Sequence, residues 1–161
     1  MRYLVFAIFM VGFSYLGFAQ KVEVYDTKAD ATADIAKAVE KASQTGKHVF
    51  LQIGGNWCPW CVKFHNFVKA DEEISTFVKD NFEVVKVNYD QHNKQEELME
   101  KLAFPQRFGF PVFVILDGKG NRIHTQNSAF LEKDKNYDKE RVLSFFKNWS
   151  AAAVSPLTYK K

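Results

Sequence analysis

The spacing of apolar residues divides this chain into short elements that alternate in type. Residues 22–25 have the make-up of a short strand. Ile35, Ala38, Val39 and Ala42 then fall at helical spacing, with Gly46 placed to stop the helix. Residues 49–53 form a short, almost wholly apolar run, as a buried strand requires. A helix is predicted from Pro59, with Cys61, Phe64 and Val68 on one face. A second follows Asp71, a capping residue, and carries Ile74, Phe77 and Val78. Residues 82–89 read as a strand, and residues 96–102 as a helix that must end before Pro105. Val112–Leu116 is a continuous apolar strand; residues 117–121 are a hairpin turn and residues 122–125 its partner strand. Val142, Phe145, Phe146 and Trp149 mark a final amphipathic helix. The order β-α-β-α(α)-β-α-β-β-α predicts an α/β fold that closes with an antiparallel hairpin and a helix. Residues 127–137 are expected as a charged connection and residues 150–161 as a loose tail.

The first nineteen residues stand apart from this pattern. Arg2 makes the start positive, residues 3–18 carry no charge, and Gly17 and Ala19 place small residues before a cut. That is the build of a secretory signal peptide, with an uncleaved membrane anchor as the alternative. No Cys follows the apolar stretch, which argues against a lipid-modified terminus. The expectation is a leader over residues 1–19 and one domain over residues 20–161, working in the periplasm or secreted. A chain of that size buries about two thirds of its unfolded surface and folds without staples.

Composition then removes whole classes of function. The 47% hydrophobic and 25% charged fractions are those of a folded protein. With 22 Lys+Arg against 19 Asp+Glu and no basic block, there is no electrostatic footprint for nucleic acid. Sixteen Phe imply an aromatic core. Only two Cys are present, three positions apart, so neither ties distant parts of the fold together.

Those two Cys carry the chemistry, in Trp57-Cys58-Pro59-Trp60-Cys61. The motif follows an apolar strand and opens a helix. Cys58 falls at the helix start, where free N–H groups and the positive dipole end favour a thiolate. Pro59 suits the first helical position, since it has no N–H to leave unpaired. Cys61 lies one turn on, within reach of a disulfide ring. This placement makes Cys58 the exposed nucleophile and Cys61 the sheltered resolving thiol. A bare C-x-x-C also suits a metal, and His65 follows Cys61 by four residues. Three ligands make a poor zinc site, although His92 or His124 could complete a copper site. The reading takes no metal and no bound cofactor.

Three blocks resemble the thioredoxin superfamily, specifically its secreted or periplasmic thioredoxin-like proteins. They are residues 49–61, residues 85–90, and Gly109-Phe110-Pro111-Val112. The resemblance runs over residues 22–149 and implies a thioredoxin fold, a central mixed sheet flanked by helices. It implies a cis peptide at Phe110–Pro111 facing the two Cys, and substrate contacts by Trp57, Pro59, Trp60, Phe110 and Pro111. Trp60 is expected to face solvent. The longer stretch over residues 71–82 is similar to thioredoxin-like domains of periplasmic electron-transfer proteins. Gln52 stands where thioredoxin has a buried Asp, while Lys86, that acid's neighbour, is kept. Gln52 and Lys86 therefore tune proton transfer, with Lys86 expected to turn away to solvent or another acid. Ser128 replaces a glycine near the substrate groove, and Asn66 a kinking proline. The Asn148-Trp149-Ser150 acceptor pattern falls on the apolar face of the last helix and is discounted.

The expected function is thiol–disulfide exchange with protein substrates by a monomer, favoured as a reductant. Electrons are expected from a membrane or periplasmic redox partner. The alternative is a copper-delivery or peptide-binding module on the same fold.

Overall fold

The structure, a computed structural model, describes residues 23–160. The expected leader and Val22 lie outside the described residues. Helix α1 (Ala31–Thr45) starts where the Asp30 side chain accepts the Ala33 N–H at 3.0 Å. It stops at Gly46, whose φ of 68° a side chain would strain. Strand β1 (His48–Gly54) leads through a short turn into α2 (Pro59–Ala70). Asp71 then both ends α2 and caps α3 (Glu72–Asn81), accepting the Ile74 N–H at 3.1 Å. Strand β2 (Phe82–Asn88), helix α4 (Glu96–Lys101), strands β3 (Val112–Leu116) and β4 (Arg122–Asn127), and helix α5 (Lys139–Asn148) complete the frame.

The sheet has the order β2-β1-β3-β4. β1 runs parallel to β2 and antiparallel to β3, and β3 and β4 form the expected hairpin. Side chains alternate across it. Val49, Leu51 and Ile53 join α1 and α4 in an aliphatic layer with Val112, Val114 and Leu116. Phe50, Phe113 and Ile115 point the other way, into an aromatic layer beneath α2, α3 and α5. The mixed α/β fold is therefore as the sequence predicted.

Three expectations are corrected. Residues 24–25 form no strand, because a side chain and not a neighbouring strand takes up their backbone groups. The Asn56 side chain takes the strand's place: it accepts the Val24 and Tyr25 N–H groups at 2.8 and 3.0 Å and donates to the Tyr25 carbonyl at 2.8 Å. The charged connection contains a two-stranded ribbon, β5 (Glu132–Lys133) with β6 (Asn136–Tyr137). The expected loose tail carries α6 (Ala151–Val154) and a 3-10 turn at Pro156–Thr158. Ser150 and Ser155 cap these turns, and the Tyr159 hydroxyl donates back to the Ala153 carbonyl at 2.8 Å. Among the described residues no helix is long and apolar enough to cross a membrane.

Candidate active site

Topology brings the two cysteines and the Pro111 loop together. β1 ends in Gly54, four residues before Cys58. Its antiparallel register with β3 pairs Ile53 with Val112, so Pro111 enters beside the end of β1. The Phe110–Pro111 peptide is cis.

Cys58 is the N-cap of α2, and its sulfur accepts the Cys61 N–H at 3.2 Å. Pro59 occupies the first turn. The two thiols are joined as a disulfide. Cys61 is fully buried, but Cys58 retains only 4% exposure, less open than the helix-start argument predicted. The cause is the cover over it: Tyr25, Val24, Trp60 and Phe110 all pack around the pair. Below the pair, a Cβ at Gly54 would collide with Cys61 Sγ, so only glycine fits under the sulfur.

Trp57 is 55% exposed and hinged at one end, its indole N–H donating to the Tyr89 carbonyl at 2.8 Å. Its ring meets Phe110 edge-on at 5.5 Å, and Phe110 lies 4.8 Å from the Tyr89 ring. These rings line a groove of about 550 Å³ that continues past Asp90 to His92 and Lys94. Trp60 is half-buried rather than open to solvent as expected. It stands edge-on to Tyr137 at 5.5 Å, its carbonyl accepts the Tyr137 hydroxyl at 3.3 Å, and Lys63 lies over its ring.

Gln52 is wholly buried beneath α2. Its Nε2 donates to the Tyr25 hydroxyl at 2.7 Å and to the Cys61 carbonyl at 3.1 Å. Lys86, its register partner on β2, donates to Gln52 Oε1. The expectation that Lys86 turns away is therefore wrong: the amide oxygen accepts its hydrogen bond in place of a carboxylate. Burial pushes the Lys86 ammonium down to about 8 and the Tyr25 phenol well above its ordinary range. Burial also lowers His65, with smaller contributions from Lys86 and Lys69.

Sequence reasoning missed Tyr25, Asn56, Tyr89 and Tyr137. Tyr25 packs on the pair itself, while Tyr89 and Tyr137 hold Trp57 and Trp60, all through contacts far apart in sequence. Among the described residues no group of three or more His, Cys, Asp or Glu could hold a metal. His92 lies in the Trp57 groove, and His124 stacks on Trp149 at 4.1 Å on the edge strand.

A disulfide at a helix start, set against a cis-proline loop on this mixed sheet, defines a dithiol protein of thioredoxin fold. The chain belongs to the thioredoxin-like family, whose model matches residues 30–118. It is 30% identical over 94 residues to the disulfide bond reductase DsbH of Chlamydia pneumoniae, a match covering 55% of this chain and 57% of that protein. The chain thus spans less than two thirds of that relative's length. Among solved structures it is similar to a disulphide isomerase from Xylella fastidiosa Temecula1, with a TM-score of 0.70 and 24% identity. That match covers 79% of this chain and 96% of the other. A thioredoxin from Thermus thermophilus superposes with a TM-score of 0.55 at 21% identity, covering 74% and 85% of the two chains. These two likenesses are of fold.

Proposed function

We propose that this protein is a thiol–disulfide oxidoreductase that exchanges disulfides with protein substrates through Cys58 and Cys61. The observation that carries the reading is the disulfide at the N-terminus of α2, with its less buried sulfur beside the Phe110–Pro111 loop. Cys58 attacks a substrate disulfide and forms a mixed disulfide; Cys61 then attacks Cys58 and releases the substrate thiol. The helix start stabilises the Cys58 thiolate through backbone N–H groups and the dipole. The substrate chain lies along the Trp57, Pro59, Trp60, Phe110 and Pro111 surface. Gln52 and Lys86 set the polarity beneath Cys61.

The chemistry needs no bound cofactor, since the dithiol itself carries two electrons. The name of the curated relative, a disulfide bond reductase, supports the reducing direction. Electrons then come from a redox partner protein in the membrane or the periplasm. The charge-free segment over residues 3–18 supports work outside the cytoplasm.

The test is trapping. Cys61→Ala should accumulate mixed disulfides through Cys58 when its free thiol is offered insulin with its disulfides intact, and Cys58→Ala should accumulate almost none. Insulin reduction that survives in Cys58→Ala, or stoichiometric copper in protein purified under reducing conditions, would overturn the reading.

A further inference from the structure

The exchange reaction leaves one buried polar group without a task. Tyr25 is 1% exposed and packs on both Cys58 and Cys61. The hydrogen bonds beneath it run in one direction. Lys86 can only donate, so the Gln52 atom facing it is the acceptor Oε1. That turns Gln52 Nε2 toward Tyr25, and an amide N–H can only donate. The phenol oxygen is thereby used as an acceptor, and its own proton must point elsewhere. Among the described residues no oxygen or nitrogen accepts it. What lies beside it is sulfur: the point where a Gly54 Cβ would stand is 3.0 Å from the Tyr25 oxygen and in contact with Cys61 Sγ.

We propose that Tyr25 is a catalytic residue of the second half of the exchange, its O–H donating to the Cys61 thiolate. This rests on the oxidoreductase reading above. In the mixed disulfide, Cys58 is bonded to a substrate sulfur and Cys61 has lost its proton to water. The Cys61 thiolate attacks Cys58 Sγ. The Cys58–Cys61 bond forms, the bond from Cys58 to the substrate breaks, and the electron pair leaves on the substrate sulfur, which takes a proton from water. Tyr25 keeps its proton throughout and acts only by hydrogen bond. Its burial holds it protonated across the working range. A buried thiolate is costly without such a donor, and a disulfide sulfur is a poor acceptor, so the hydrogen bond forms when Cys61 ionises.

Tyr25→Phe tests this without disturbing the segment, because Asn56 holds only the backbone of residue 25. The probe is 5,5′-dithiobis(2-nitrobenzoate). It loads Cys58 with a thionitrobenzoate group, and Cys61 then expels that group as a coloured thiolate. A hydrogen bond to a charged group is worth about tenfold or more in rate. Expulsion should therefore slow about tenfold in Tyr25→Phe, while the first attack by Cys58 changes less than about twofold. Equal expulsion rates in the two proteins would overturn the proposal. A parent protein whose Cys58 does not load, or a Cys58→Ala variant that reacts as fast, would instead overturn the oxidoreductase reading.

A second measurement needs no change at Tyr25. With tyrosine ring carbons labelled at Cζ, the Tyr25 resonance of the reduced protein should show a step as Cys61 ionises, and that step should be absent in Cys61→Ala, where only the Cys58 thiol remains beside the ring. The other titrating groups around the pair, Cys58 at the start of α2, Lys86 on β2, His65 on α2 and Tyr137 on β6, are present in both proteins. A Tyr25 signal that titrates identically in both would also overturn the proposal.

Discussion

Replacing Lys86 with Met should change how stability responds to pH, by an amount the structure sets. Lys86 is largely buried, donates to an amide rather than a carboxylate, and holds its proton only to about 8 in the folded protein, against an ordinary 10.5. Between those values the unfolded chain binds more protons than the folded one, so stability rises with pH. The rise from pH 7 to 9.5 should be about 2 kcal/mol. At pH 7 the Met variant escapes the cost of burying a charge but leaves Gln52 Oε1 unpaired, at about 1–3 kcal/mol, so the two proteins should be close in stability there. The measurement is urea unfolding of both proteins across pH 7–9.5, with the disulfide intact so that neither thiol titrates. Tyr25 and Tyr137, both raised by burial, are common to the two proteins and cancel in the comparison. The parent should gain stability on the Met variant as pH rises. Parallel profiles would mean that Lys86 keeps its ordinary affinity for the proton, and the burial argument would fail.

Two further changes probe the scaffold around the pair. Gly54→Ala should cost about 1–3 kcal/mol, because its methyl runs into Cys61 Sγ, and more in the oxidised protein, where the sulfur is pinned. Equilibration with glutathione should therefore shift toward the dithiol; an unshifted equilibrium refutes the contact. Asn56→Ala removes the three hydrogen bonds that a side chain makes to the backbone of residues 24 and 25, and should cost about 1–3 kcal/mol. Amide exchange should show Val24 and Tyr25 losing protection while β1 keeps it, and uniform loss across the sheet would count against a local role.

The frame was legible in the sequence because its signals are local. Gly46, Asp71 and Pro59 sit where a helix must stop, start or turn, and the structure uses each in that way. The apolar run over residues 49–53 likewise foretold a buried strand. Asn56 escaped notice because nothing in a single Asn tells a reader that it will stand in for a strand. The same limit explains Lys86: a charged residue on a strand reads as one seeking an acid, and only the register with Gln52 shows that an amide suffices. Trp60 was read as exposed because Tyr137, which covers it, lies on a ribbon too short to leave a pattern.

The two faces of the sheet differ in how freely evolution can rewrite them. The side under α1 and α4 is built of Val, Leu, Ile, Ala and Met, whose contacts depend on volume more than on orientation, and volume-conserving exchanges there cost little. The side under the cysteine helix is a lattice of rings. Phe50 alone meets Phe64 at 6.2 Å, Phe113 at 5.4 Å and Phe146 edge-on at 5.0 Å. Each ring's tilt constrains the next, so one exchange must be answered by several. Substitutions should therefore accumulate on the aliphatic side while the aromatic side changes in concerted sets. The helix that carries the disulfide is thus held on the slow-drifting half of the molecule.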